Sequence, residues 1–491
     1  DQPRSRGLGD VYKRQVYDWT ASTSDYDEKM SLCIGSNTIP EIMNVNATQY
    51  RALLKYDMIQ PLDKYFDDYA SDALKSYVKS GGEELQKCIT NEDGELMAIP
   101  APNLTAGGVN EMWIRQDWLD ALGLDVPRTW DELAEVAKAF VTRDPDGNGE
   151  NDTIGILGPG NSDHMNAVGG NQFGLDPLFS CFQSYPQYWL KSEDGSVEYG
   201  SIQPETKTAL ENISKLYADG VIDPETLVRS DSKEPLLAGK VGIFFGPWWC
   251  AYTFADTTLS GSADWRAYFT PLSEDGKYYT HMAEPTTQYV VASKDCKNPE
   301  AAFKIINYIV ANEQKWVEEG VTSTEMGTGD FYPLYNTYDN ADEIEKSYEA
   351  LTKYLAGDIS MDDVDFSTHK LLKNDMEAVT KLKKKPYDDF SLKYWNLDSD
   401  LAKTNLPRLV AIMVGDAPLV NEEYVPVYNA YNGQTETMEA KWANLKKMEE
   451  ETFAKIIMGK ADISEFDTFV KNWKNQGGDQ ILKEINDELS K

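Results

Sequence analysis

Histidine is scarce in this chain: His164, His281 and His369 stand far apart among 491 residues. A histidine-based zinc site therefore lacks its ligands. Cysteine is nearly as sparse, with Cys33, Cys88, Cys181, Cys250 and Cys296 scattered and never forming a CxxC pair. An odd, unpatterned set argues against a disulfide framework and reads as buried free thiols. The chain has no GxSxG, no HExxH, no GxxxxGK[ST] and no GxGxxG after a strand pattern. Those absences weaken the serine-hydrolase, zinc-protease, P-loop and dinucleotide readings. No apolar run approaches the length of about 18 residues that a membrane-spanning helix needs. Bases are outnumbered, 47 Lys and Arg against 82 Asp and Glu, for a formal charge of −35. Such a surface repels phosphate backbones and anionic headgroups, which argues against nucleic acid as a partner.

What is abundant is aromatic: 12 Trp, 28 Tyr and 16 Phe in a chain long enough for two or more lobes. Residues 1–15 have no apolar periodicity and read as a leader foreign to the fold. Met30, Leu32 and Ile34 alternate as in a strand, and Gly35-Ser36-Asn37 then breaks the pattern. Thr129 and Glu132 have the spacing of a capping box, followed by a core stripe at Leu133, Val136, Ala137 and Phe140. Pro204 opens another helix, with Gly220 as its stop. Val241–Gly246 reads as a buried strand whose end delivers Trp248, Trp249 and Tyr252. Strands and helices interleave to about residue 310, which predicts an α/β class with mainly parallel sheets. From 340 onward the pattern is helical, at 340–356, 361–385, 397–413 and 435–458, with the lysine-rich run 381–385 as a solvated helix end. No repeat of fixed period is visible.

One loop has a specific chemistry. Asp144, Asp146, Asn148, Glu150 and Asp152 fall at every second position, with Gly147 and Gly149 between them. Alternate oxygen donors on a tight glycine-containing loop can turn inward on one hard cation. The spacing predicts a calcium loop; a solvated acidic turn is the plainer alternative. A full EF-hand is not met, because the twelfth position is Gly155 where a bidentate Glu belongs.

Several segments in order resemble the family 1 extracellular solute-binding proteins of carbohydrate ABC importers, in particular the LipO-like branch. They are IRQDWLDALGLDVPRTWDELAEVAKAF with DPDGNGENDTIGI, then PETKTALENISKLYADGVIDPET with AGKVGIFFGPWW, NPEAAFKIINYIV, and ISEFDTFVKNWKNQGGDQILKEINDEL. The resemblance spans nearly all of residues 16–491. It implies a two-lobed periplasmic-binding-protein-like fold with hinge strands and a helical C-terminal extension, closing on a solute by population shift. Lobe 1 is expected at 16–112 plus 290–340 and lobe 2 at 113–289 plus 341–491, with crossings near 112–126, 284–290 and 340–350. It also implies a monomeric, non-enzymatic receptor outside the cytoplasm. That receptor hands its ligand to permease subunits and is lipid-anchored through an N-terminal Cys absent from this chain. The calcium-loop positions match one for one, with Glu150 expected to offer its backbone carbonyl and the ion to be structural.

Sugar suits this composition. Pyranose rings present apolar C–H faces to aromatic planes and hydroxyl rims to amides and carboxylates. Candidate ligand-binding residues at strand ends and loops are Trp248, Trp249, Tyr252, Trp113, Arg115, Asn37, Asn46, Trp19, Glu284, Tyr394 and Trp395. Trp118 and Trp130 are assigned to structure. Three rivals share the sequence features: a two-carboxylate carbohydrate hydrolase, a static adhesion module, and a receptor for another solute such as a peptide.

Overall fold

The computed structural model describes residues 23–160, 172–318, 334, 336–366, 369 and 371–490. Trp19 and the leader expected at residues 1–15 lie outside them. In chain order the strands are β1 (Ile42–Asn46), β2 (Ile99–Pro102), β3 (Glu111–Arg115), β4 (Ile154–Leu157), β5 (Trp189–Lys191), β6 (Val197–Tyr199), β7 (Val241–Gly246), β8 (Trp265–Tyr268), β9 (Tyr278–His281), β10 (Thr286–Ala292) and β11 (Tyr424–Val427).

The first lobe is a three-stranded sheet in the order β1-β10-β2, antiparallel throughout. Helices Ala47–Lys55, Asp72–Ser80, Gly82–Ile89 and Glu300–Glu318 surround it. Leu53, Leu74, Leu85, Ile89, Val290, Val291 and Phe303 are wholly buried between them. Each such aliphatic side chain contributes about 1.5–3 kcal/mol by leaving water. The Tyr50 ring stacks on Tyr289 at 4.4 Å and fixes the helix Ala47–Lys55 against the sheet. Residues 30–34 are not the expected strand. They belong to the helix Thr23–Gly35, where Met30, Cys33 and Ile34 share the buried face and Leu32 is 62% exposed. Met30 and Ile34 satisfy a period of two and a spacing of four equally, and Cys33 is what decides for the helix.

The second lobe is a four-stranded sheet in the order β4-β7-β3-β8. β3 runs antiparallel to both β7 and β8, and only β4 is parallel to β7. The expected mainly parallel sheets are therefore corrected. Interleaved helices lengthen the connections, but side-chain alternation carries no information on strand direction. Every residue of β3 is buried, because the sheet is covered on both faces. Met112 and Ile114 enter one core with Leu133, Phe140 and Ile243, while Trp113 enters the other with Phe244 and Phe254. The capping box holds as expected: Glu132 N–H donates to Thr129 at 3.3 Å, and Thr129 N–H donates to Glu132 at 3.0 Å.

The C-terminal helices are built into these cores. Glu343–Ala356, Leu372–Leu382 and Asp400–Val410 close the core around Trp113. Glu436–Ile457, Glu465–Trp473 and Asp479–Leu489 close the other, with Trp473 stacked on Tyr199 at 4.8 Å. Three connections join the two lobes, with β9 paired in parallel to β11 on the second. The first is residues 103–110 rather than 112–126, because residues 111–115 are already a central strand of the second lobe. The second runs from β9 to β10 at residues 282–285, and the third passes through residues 336–341 before the helix Glu343–Ala356.

Candidate functional site

The three connections and two strand ends enclose a cavity of about 350 Å³ between the lobes. The 103–110 connection contributes Asn103, Leu104 and Thr105, and the 282–285 connection contributes Met282, Ala283, Glu284 and Pro285. Trp248 and Trp249 follow β7, and Tyr428 follows β11. The connections are stitched together at the backbone. Asn103 N–H donates to the Pro285 carbonyl at 2.8 Å, and its side-chain amide donates to the Glu284 carbonyl at 2.9 Å. Thr105 N–H donates to Ala341 O at 2.8 Å. Glu284 Oε1 accepts from Arg51 at 2.6 Å, whereas its buried Oε2 has no partner among the described residues.

The tryptophans are held from behind. Trp113 Nε1 donates to Pro247 O at 3.3 Å, which fixes the turn that presents Trp248 and Trp249. A side chain at Gly415 would meet the Trp248 carbonyl at 2.6 Å, so only glycine lets that helical turn approach. Trp248 is 5% exposed, its Nε1 without a partner among the described residues, and Trp249 is half-buried. Two fully buried carboxyl groups, Glu111 at the start of β3 and Asp416 beside Gly415, have no hydrogen-bond partner among the described residues. Burial raises both above the usual carboxylate range; the Asp416 charge adds to Glu111 and the Glu345 charge adds to Asp416. Asp416, pushed up to about 9, stays a neutral acid at neutral pH.

Of the predicted ligand residues, the cavity gathers Trp248, Trp249 and Glu284. Tyr252 lies one turn beyond, 47% exposed and hydrogen-bonded to Arg408. Trp113 is wholly buried and acts by positioning its neighbours. Arg115 is 4% exposed; it bonds Asp117 and the carbonyls of Gly239 and Ser262, and stacks on Trp118. A residue inside a β-strand looks identical in sequence whether it faces a cleft or a core, and both of these face cores. Asn46 caps the helix Ala47–Lys55 in a capping box with Gln49, and Asn37 sits in an exposed turn after a helix. Tyr394 and Trp395, with Phe390, surround the Lys383 ammonium at 5.0–5.5 Å. Lys383 is therefore buried rather than solvated, and burial pulls its pKa down to about 8. Asn103 and Tyr428 were missed. The first ends a Pro-rich strand, and the second follows β11, whose sequence Tyr-Val-Pro-Val is a strand signal inside a stretch read as helical.

The loop 144–152 lies away from the cavity. Asp144 at φ +48° and Gly147 and Gly149 at positive φ turn the chain inward. Asp144 accepts from the Asn148 and Gly149 amides, while the Asn148 side chain donates to Asp146 at 2.9 Å and Asp152 at 3.2 Å. Asp152 also pairs with Lys240 at 3.0 Å. Asp146 and Asp152 thus meet at the Asn148 side chain while Asp144 binds the adjacent backbone amides, and their hard oxygens suit calcium. Among the described residues, no three His, Cys, Asp or Glu side chains already stand in metal-ligating positions. Just beyond the loop, Thr153 Oγ1 donates to Phe140 O at 2.7 Å and ties the helix end to β4.

The profile of the bacterial extracellular solute-binding proteins matches residues 16–316. The chain belongs to this family. Among its relatives, the fructooligosaccharide ABC transporter substrate-binding protein FusA of Streptococcus pneumoniae serotype 4 is 30% identical over 246 residues, 46% of this chain and 43% of FusA. The match thus spans less than half the length of that relative. The polygalacturonan/rhamnogalacturonan-binding protein YtcQ of Bacillus subtilis (strain 168) is 24% identical over 469 residues, 93% of this chain and 82% of YtcQ. A solved structure of an S. pneumoniae FusA EF-hand mutant in complex with fructo-nystose aligns at TM-score 0.54 and 18% identity, covering 96% of this chain and 92% of that one. At that identity the likeness concerns the fold, and it is the two-lobed architecture of solute-binding proteins. Among the described residues no helix is long and apolar enough to cross a membrane.

Proposed function

We propose that this solute-binding protein is the receptor of a carbohydrate ABC importer, capturing an oligosaccharide between its lobes and passing it to the permease. The observation that carries the reading is the pairing of Trp248 and Trp249 with Asn103 and the unpartnered Glu284 oxygen around one interlobe cavity. Aromatic planes take the apolar sugar faces, and the amide and carboxylate take the hydroxyls. FusA and YtcQ, each a carbohydrate binder by name, support it. The reading also makes the protein extracytoplasmic, lipid-tethered and monomeric, without catalytic activity. Glu284 is the one carboxylate lining this chamber among the described residues, and it is bridged by Arg51; glycoside hydrolysis uses two. A thermal-shift panel of oligosaccharides, with the products separated after overnight incubation, tests this. Stabilisation by an intact sugar is expected; shortened products or no stabilisation would contradict it.

We infer further that Asp144, Asp146, Asn148 and Asp152, with the Glu150 carbonyl, hold a structural calcium ion. The Asp146 and Asp152 carboxylates meeting at the Asn148 side chain, with Asp144 on the adjacent backbone amides, support it. So does the EF-hand named in the FusA mutant structure. A bound ion would supply fixed positive charge that neutralises the carboxylates and braces the helix Trp130–Thr142 against β4.

A further inference from the structure

A second chamber of about 290 Å³ opens beside the first, and the two share Asn103 and Leu104. It lies against the first lobe, between β2, β10 and the third connection, and is lined by Gln288, Asn336, Thr337 and Asp339. It has no aromatic residue in its lining. Asn336 is held in place by Asn44, which donates to it at 2.9 Å. Asn103 uses its amide nitrogen on the Glu284 carbonyl and keeps its oxygen for the cavity. Amides and hydroxyls both donate and accept, so this lining matches the hydroxyl rim of a sugar in any rotation.

The charges of the two linings are one-sided. Glu284 in the first chamber and Asp339 in the second are the charged residues, and no Lys, Arg or His lines either chamber among the described residues. The nearby cation, Arg51, is taken by Glu284 at 2.6 Å. An anionic sugar ring buried here would lose its hydration and, among the described residues, find no lining cation to pair with. The formal charge of −35 opposes its approach as well. An uncharged sugar has none of these costs.

We propose that the cleft selects an uncharged oligosaccharide spanning both chambers, and excludes uronic-acid chains of the same length. This rests on the receptor reading above. The tryptophan chamber stacks one end of the chain, and the amide chamber reads the hydroxyls of the next units. Asn103 bridges the junction.

Isothermal titration tests it with three sets of ligands: neutral gluco-, fructo-, galacto- and xylo-tetrasaccharides, the matching neutral disaccharides, and tetramers of galacturonate and mannuronate. A neutral tetrasaccharide is expected to bind at least on the order of 100-fold tighter than either uronate tetramer, because a buried charge without a partner is costly. It should also bind tighter than its own disaccharide. Thr337→Lys, a change at an exposed position, should raise uronate affinity on the order of tenfold by supplying the missing cation. Uronate tetramers binding as tightly as neutral ones would overturn the selectivity while leaving the receptor reading intact. A disaccharide as tight as its tetrasaccharide would overturn the two-chamber span. Binding of no sugar in any set would overturn the receptor reading and this inference with it.

Discussion

At the scale of single residues, the aromatic side chains divide by what stands behind them. Trp249 has one face on the core and one on the cavity, so its loss removes a stacking plane without opening the protein. Trp249→Ala is expected to weaken sugar binding by about 2 kcal/mol, roughly 30-fold in Kd by titration, with Tm nearly unchanged. Trp113→Ala should do the reverse first. Its ring is wholly buried between Phe244 and Phe254, and truncation costs about 3–5 kcal/mol of stability, read as a large fall in Tm. The buried carboxyls give a pH signature. Asp416 has a folded-state pKa raised by burial, so its contribution to stability is complete at acid pH, where both states hold the proton. That contribution is lost as pH rises, because the unfolded chain ionises there and the folded one resists. His281 is depressed to about 3 by burial and acts in the opposite sense, but only below its ordinary value of 6.5. Above pH 7 the Asp416 effect stands clear of it. Melting temperature should therefore fall from pH 7 to pH 9, and Asp416→Asn should reduce that fall. A slope identical in both proteins would contradict the assignment.

At the scale of elements, what matters is the loop 144–152, proposed to hold calcium, and the connections between the lobes. The loop joins a helix capped by Thr129 to the sheet strand β4, and an ion bound only by the folded chain stabilises it by mass action. Chelation is expected to lower Tm. The loss corresponds to about 2.7 kcal/mol for a protein held at a free calcium concentration 100 times Kd. Asp144→Ala should reproduce the effect of chelator, become insensitive to it, and leave sugar affinity within about twofold, because the loop lies away from the cavity. The elements that local rules govern were legible in the sequence: the capping box at Thr129, the stripe through Phe140, the glycine stop at Gly220 and the strand before Trp248. What was not legible depends on partners distant in sequence. Lys383 reads as solvated in a lysine run, and only the fold brings Phe390, Tyr394 and Trp395 around it. Strand direction is of the same kind, since β7 and β8 begin 126 and 150 positions beyond the end of β3, counting from Arg115 to Val241 and to Trp265.

At the scale of the whole molecule, the sheets stand in separate lobes and the cavity lies where the chain passes between them. The two-lobed architecture and the sugar reading follow from the order of family-like segments. The individual ligand residues do not, because an aromatic residue at a strand end is written the same way for core and cleft. Trp248 and Glu284 become neighbours only through the 282–285 connection, stitched to Asn103 and thence to Ala341. A ligand that touches both sides of the cavity should favour a closed arrangement of the lobes. Small-angle X-ray scattering with and without a saturating neutral oligosaccharide, taken from those that stabilise the protein, tests this most directly. The account predicts a smaller radius of gyration with the sugar bound, and the same sugar recovered intact. An unchanged or larger radius at saturation would contradict it.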